Sequence, residues 1–260
     1  MDKDRINAYG CSLYDALVSR HTVEPLRLKE PSITMEDAYA IQQAMVRCRV
    51  LAGEKVVGKK IGATSQAVQK QLGVFEPDFG QLTSGMVRTQ AQGVDLSALI
   101  QPKAEAEIAF VLGRDLEGSQ NTALDIIRAT EYVSPCFEIV DSRIDNWDIG
   151  IFDTIADNAS SGVFVLGEDK ARLRDFDVTL AGMVIERNGS LHSTSAGAAV
   201  QGSPLNAVVW LANKLGSLGL PFKAGEIILS GSQSTLVPIQ KGDRLQCTVG
   251  GLGQCSVHFH

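Results

Sequence analysis

KAEAEIAF, residues 103–110, sets two glutamates inside a run that otherwise reads as a buried strand. Alternate side chains of a strand share a face, so Lys103, Glu105, Glu107 and Ala109 look one way and Ala104, Ala106, Ile108 and Phe110 the other. A solvated outer face is one explanation, because half-exposed antiparallel strands alternate in this manner. A second explanation comes from PCFEIVDSR (135–143), where Glu138 lies inside the short apolar strand Cys136–Val140 and is followed by Asp141 and Arg143. Burying an ionised carboxylate without a partner is costly, so acids on sheet interiors are paired, protonated or bound to a cation. Three glutamates converging from two strands make an all-oxygen site, which suits magnesium or manganese better than zinc. Spacing alone leaves this open beside the plainer reading, in which Glu105 and Glu107 face solvent and Glu138 pairs with Lys103 or Arg143.

The rest of the chain narrows the class of protein. Its 260 residues fit one large domain, or one domain with a smaller appendage. A formal charge of −6 argues against nucleic-acid and anionic-membrane partners and points to a small-molecule site. No stretch approaches the roughly 18 apolar residues of a membrane span, and the N-terminal segment does not read as a signal peptide, so a cytoplasmic location is expected. The five cysteines (Cys11, Cys48, Cys136, Cys247, Cys255) show no C-x-x-C spacing and read as buried small hydrophobes. The four histidines (His21, His192, His258, His260) form no metal-binding motif. GKKIGATS (58–65) lacks the spacing of a phosphate-binding loop, so no nucleotide cofactor is assigned.

Helices are expected at 4–20 and 35–52, the second opened by Thr34 and Asp37 at capping-box spacing, with an apolar stripe at Ala38, Ile41, Met45 and Cys48. These form an N-terminal helical region, 1–54, ahead of a β-rich core, 55–260. A short strand within 55–65 leads into a helical segment at 66–74 and a loop at 75–82. Strands follow at 103–113, 135–142, 161–167, 178–187, 226–231, 244–250 and 254–259, interrupted by helices at 121–132 and 203–219. The latter has Ser203 as N-cap and Pro204 at the first helical position. RNGS (187–190) predicts a hairpin, because Asn-Gly supplies the two positive φ angles of a type I′ turn. The sum is an α+β fold with a mixed β core and peripheral helices.

VGKKIGATS (57–65), LGVFEPDFGQL (72–82), PKAEAEIAFVL (102–112), PCFEIVDSRI (135–144), DTIADNASSG (153–162) and GEIILSGS (225–232) follow one another along the chain. In order and spacing they resemble the 2-keto-4-pentenoate (2-hydroxypenta-2,4-dienoate) hydratases of the fumarylacetoacetate hydrolase superfamily, over about residues 35–259. The resemblance implies a mixed β-roll core and a magnesium or manganese ion held by Glu105, Glu107 and Glu138. It implies hydration of 2-hydroxypenta-2,4-dienoate to 4-hydroxy-2-oxopentanoate in aromatic meta-cleavage catabolism. It also implies a homo-oligomer, with pentamers one candidate unit, and association with a pathway aldolase or decarboxylase.

Within GKKIG, alternation sends Lys59 and Lys60 to opposite faces; by motif position Lys60 is the catalytic candidate and Lys59 a surface charge. Beside a dication Lys60 should favour its neutral form, which would let it act as base on the enol. Asp78, in EPDFG, is the candidate for orienting or deprotonating water, against a plainer role as a turn aspartate after Pro77. Asp78 also tilts the reading toward the hydratases and away from the similar 4-oxalocrotonate decarboxylases. Ser160, Ser230 and Gly231 are the expected contacts of the substrate carboxylate, and Gln233 departs from the family's pattern. Hydrolases of the superfamily bring an early His–Glu pair, whereas His21 has no evident glutamate partner. An answer of another class is a non-catalytic partner subunit that binds metal or oxo acid.

Overall fold

The computed structural model describes residues 1–65, 68–70 and 73–260. Three helices open the chain, α1 (Lys3–Ser19), α2 (Leu26–Lys29) and α3 (Met35–Leu51). The capping box forms as expected: Thr34 Oγ1 accepts from the Asp37 N–H at 3.2 Å, and the Asp37 carboxylate accepts from the Thr34 N–H at 3.1 Å. Leu13, Ala38, Ile41 and Met45 pack with Ile144, Ile155 and Ala156 of the core, so the helices bury one shared apolar face. Gln42 joins the two regions by donating from one buried amide to the carbonyls of Phe79 (2.8 Å) and Ile155 (3.0 Å). Cys48 is only half-buried and Cys11 is exposed, unlike the three core cysteines, because they lie at the outer edge of the α1–α3 contact.

The core follows with β1 (Val56–Gly62), β2 (Asp78–Thr83), β3 (Val87–Arg88), β4 (Pro102–Leu112), α4 (Ala123–Ala129), β5 (Thr130–Asp141), α5 (Ile151–Ala156) and β6 (Ser161–Leu166). Then come β7 (Gly182–Arg187), β8 (Ser190–Ala196), α6 (Pro204–Ser217), β9 (Ile227–Leu229), β10 (Val237–Pro238), β11 (Arg244–Val249) and β12 (Gly253–His258). One mixed sheet runs β2-β1-β9-β4-β5-β6-β3 with β10 also paired to β4, and a second runs β12-β11-β7-β8. The main core lies between them: Ala106, Ile108, Phe110 and Phe137 of the first sheet meet Met183, Ile185, Leu245, Cys247 and Val257 of the second. Burying these apolar faces against each other supplies the main driving force for the architecture.

Several local expectations change. The helix expected over 121–132 ends at Ala129, since Thr130 and Tyr132 are recruited to β5 opposite Leu112 and Val111. Residues from Asp78 onward form β2, antiparallel to β1, where a loop was expected. The helical segment expected at 66–74 includes residues 66, 67, 71 and 72, which lie outside the described residues. Ser203 precedes α6, yet its hydroxyl accepts from Thr179 Oγ1 at 2.8 Å and does not cap the helix. Asn188 (φ 55°) and Gly189 (φ 77°) form the expected hairpin turn.

Candidate metal centre and active-site cavity

The alternation in β4 takes the predicted form, but neither face is solvated. Ala104, Ala106, Ile108 and Phe110 point into the main core. On the other face Glu107 is 0 % exposed and Glu105 is half-buried, so the reading of a solvent-facing acid row fails at Glu107; Glu138, from β5, is 1 % exposed. Glu105 stands directly opposite Glu138 in the antiparallel β4–β5 ladder, and Glu107 follows on the same face. One carboxylate oxygen from each of Glu105, Glu107 and Glu138 lies within 4.8 Å of the others.

Neither alternative partner reaches Glu138. Arg143 is fully buried and pairs with Asp157 at 2.5 Å, while Lys103 sits 4.2 Å from the centroid of the Trp147 ring. Lys60, from β1, approaches Glu138 Oε2 at 3.3 Å and donates to the Ala159 carbonyl at 3.0 Å. Lys59 goes to the opposite face as expected, but it is buried and ion-paired with Glu226 instead of forming a surface charge.

The turn that receives Lys60 is conformationally unusual. Asn158, Ala159 and Ser160 have φ of 55°, 52° and 52°, three successive non-glycine residues in the left-handed region. Surrounding bonds hold that strain in place: Asn158 exchanges hydrogen bonds with the backbone of Gln81, both 2.8 Å, and Arg143 donates to the Ser161 carbonyl at 2.7 Å. Ser160 lies buried beside Thr154, their hydroxyl oxygens 3.4 Å apart.

Asp78 is not a turn aspartate. It begins β2 opposite Gly62, is buried, and its Oδ1 has no hydrogen-bond partner among the described residues. A Cβ at residue 62 would come within 2.1 Å of that oxygen, so glycine there is what gives the carboxylate its place. Ser230 and Gly231, expected at the substrate carboxylate, make contacts to β4. The Ser230 hydroxyl donates to the Ile108 carbonyl at 2.7 Å, and the Gly231 N–H donates to Glu107 Oε2 at 2.7 Å. Both groups therefore brace β4 and its carboxylate.

The electrostatics follow from this crowding. Burial is the chief force raising Glu107 well above the usual carboxylate range, with Glu138 and Glu105 adding to it against Lys60 and the Gly231 hydrogen bond. Glu138 is pushed up to about 7, again mainly by burial, with the Lys60 charge opposing. Burial likewise raises Asp78 and Glu105. Burial works against the Lys60 charge, yet Glu138, Glu105, Asp78 and Glu107 outweigh it and hold its pKa above the ordinary lysine value. These carboxylates favour the ammonium form of Lys60, whereas the neutral base was expected of Lys60 beside a bound dication.

The donor set fits a hard divalent cation. Glu107 Oε1 and Glu138 Oε1 are buried without a hydrogen-bond donor among the described residues, Glu138 Oε2 has the Lys60 ammonium at 3.3 Å, and all three glutamates offer oxygen. Glu105 also lines a cavity of about 600 Å³, together with Ile61, Thr64, Ser193, Gln233 and Leu236. Gln233 carried no functional signal in the sequence beyond its departure from the expected pattern.

Residues 56–260 match the family described as Fumarylacetoacetate (FAA) hydrolase C-terminal. The chain belongs to this family. Relatives within the fumarylacetoacetate hydrolase family extend the match over almost the whole chain. A 2-hydroxyhexa-2,4-dienoate hydratase of Comamonas testosteroni is 51% identical over 260 residues, covering 99% of this chain and 98% of the relative. A 2-keto-4-pentenoate hydratase of Paraburkholderia xenovorans is 50% identical over 248 residues, 95% of this chain and 92% of the relative. Among solved structures of the family's fold, the 4-oxalocrotonate decarboxylase from Pseudomonas putida G7, complexed with magnesium and adipate, superposes with a TM-score of 0.96 at 36% identity. It covers 100% of this chain and 99% of that one.

Proposed function

We propose that this chain is a hydro-lyase that converts 2-hydroxypenta-2,4-dienoate to 4-hydroxy-2-oxopentanoate, with Glu105, Glu107 and Glu138 holding magnesium or manganese. The observation that carries the reading is the buried carboxylate cluster opening on the cavity of about 600 Å³, in a chain about half identical to proteins named as dienoate hydratases. A cation so held supplies electrostatic stabilisation of negative charge developing at the C2 oxygen of a 2-oxo acid. Lys60, beside Glu138 among the carboxylates, is the candidate to hold a proton and exchange it with the enol or C5. Asp78, buried with an open oxygen, is the candidate to orient water or take its proton during addition at C4. Ser160 is assigned to the substrate carboxylate. Ser230 and Gly231 contribute through Ile108 and Glu107.

The reading carries with it a cytoplasmic homo-oligomer, with pentamers as one candidate unit, serving aromatic meta-cleavage catabolism beside an aldolase or decarboxylase. The test is the ultraviolet absorbance of enzymatically generated 2-hydroxypenta-2,4-dienoate with purified protein and magnesium, repeated with excess EDTA. Metal-dependent loss of the dienol band with appearance of 4-hydroxy-2-oxopentanoate is the expected result. Release of carbon dioxide from 4-oxalocrotonate, without hydration, would move the chain to the decarboxylase branch. Inactivity on both would favour the non-catalytic partner.

A further inference from the structure

The loop after β9 runs back along β4 one contact at a time. Ser230 bonds to Ile108, Gly231 to the Glu107 carboxylate, and the Gln233 N–H donates to the Ala106 carbonyl at 3.1 Å. This fixes the Gln233 backbone beside the strand segment that carries both glutamates. Its side chain is only 3 % exposed, yet neither Nε2 nor Oε1 has a hydrogen-bond partner among the described residues. Leaving a buried amide unsatisfied is costly, and such groups call for a ligand or water that completes them. Gln233 lines the same cavity as Glu105, and Ser193, whose buried hydroxyl also lacks a partner, lines it from β8.

We propose that the Gln233 amide binds the water that adds at C4 and the C4 hydroxyl it becomes, making Gln233 a specificity-determining residue of this site. An amide offers two donors and an acceptor, and a water or hydroxyl both accepts and donates. A carboxylate accepts only and would leave Oε1 unpaired. Among the described residues lining the cavity there is no lysine, arginine or histidine to balance a carboxylate there. In the addition, the water oxygen bonds to C4 of the unsaturated 2-oxo acid and the C3–C4 π pair moves into the conjugated C2 carbonyl. The water's proton passes to Asp78, and its return to C3 completes the addition of H and OH across C3–C4. Gln233 gives and takes no proton, so its contribution does not vary with pH.

The inference rests on the hydratase reading, and the experiment separates the two. Dissociation constants of 4-hydroxy-2-oxopentanoate and 2-oxopentanoate are measured by calorimetry on the magnesium-loaded protein, for wild type and Gln233→Met. Wild type is expected to prefer the hydroxylated acid by about tenfold or more, the scale of a hydrogen-bonded hydroxyl in a buried site. Gln233→Met is expected to bring that ratio close to one while 2-oxopentanoate and magnesium bind as in wild type. A wild-type ratio near one, or a variant that keeps the preference, overturns the inference even where the wild type hydrates the dienol. Failure of wild type to hydrate overturns the function reading on which it rests. If the methionine variant does not fold, Gln233→Asn, with a shorter reach, must show a reduced ratio, and an unchanged one overturns the assignment.

Discussion

Replacing Glu107 with glutamine is expected to make the metal-free protein more stable and the metal weaker. In the folded chain this carboxyl is fully buried beside Glu105 and Glu138, and its pKa lies well above the ordinary 4.5. Below pH 4.5 the carboxyl is protonated in both folded and unfolded chains and imposes no penalty. Above that value the unfolded chain loses the proton while the folded chain keeps it, so stability falls by about 1.4 kcal/mol per pH unit until the folded carboxyl itself ionises. The cost therefore accumulates as the pH rises from 4.5 toward neutrality. Glutamine escapes it, and its amide oxygen can still accept from the Gly231 N–H. For a chain near this length each kcal/mol so recovered corresponds to roughly 2–4 °C in Tm. Thermal unfolding in EDTA should therefore show wild type and Glu107→Gln close together at pH 4.5 and separated at pH 7. Magnesium should reverse the order by stabilising wild type through mass action while binding the variant weakly. Equal stability at pH 7 in EDTA would refute the account of a protonated, crowded carboxyl, and unchanged magnesium affinity would remove Glu107 from the ligand set.

Two further substitutions probe the groups beside the cluster. Lys60→Met should lower kcat by about 10²–10⁴-fold with magnesium affinity near wild type, read by steady-state kinetics and metal titration; full kcat would take the lysine out of the mechanism. Gly62→Ala places a methyl where only 2.1 Å separates it from Asp78 Oδ1. Displacing that carboxylate should cost about 100-fold in kcat, whereas wild-type turnover would show that the position of Asp78 is not critical.

The glutamate pattern was legible because strand periodicity is local: two acids two residues apart must share a face, and one register places Glu138 opposite Glu105. Their burial was not legible, since the segments around that face, the 158–160 turn and the loop beginning at Ser230, come from distant parts of the sequence. For the same reason Arg143 read as a partner for Glu138, although Asp157 claims it. The strand beginning at Asp78 was hidden by Pro77 and by its dependence on pairing with β1. Ser230 and Gly231 were recognisable as residues of the site region, but which atom each would bond depended on how the chain returns along β4. Gln233 gave no periodic or motif signal, and its unpaired amide becomes evident only once the cavity is assembled.

Adjacent lysines in β1 raise a problem of fidelity. Each has an acidic partner, Lys60 with Glu138 on one side and Lys59 with Glu226 on the other. A strand slipped by one residue would put one lysine in the other's place and bring Gly58 or Ile61 to the remaining carboxylate, so charge is lost at one acid but still satisfied at the other. Shape discriminates further. A Cβ at position 58 would fall 1.9 Å from the Ile227 carbonyl oxygen, and one at 62 would strike Asp78. Either direction of slip drives a side chain into at least one of these gaps. The glycines therefore act as a steric gauge on the register of β1, and which lysine faces the carboxylate cluster is set by two residues that have no side chain.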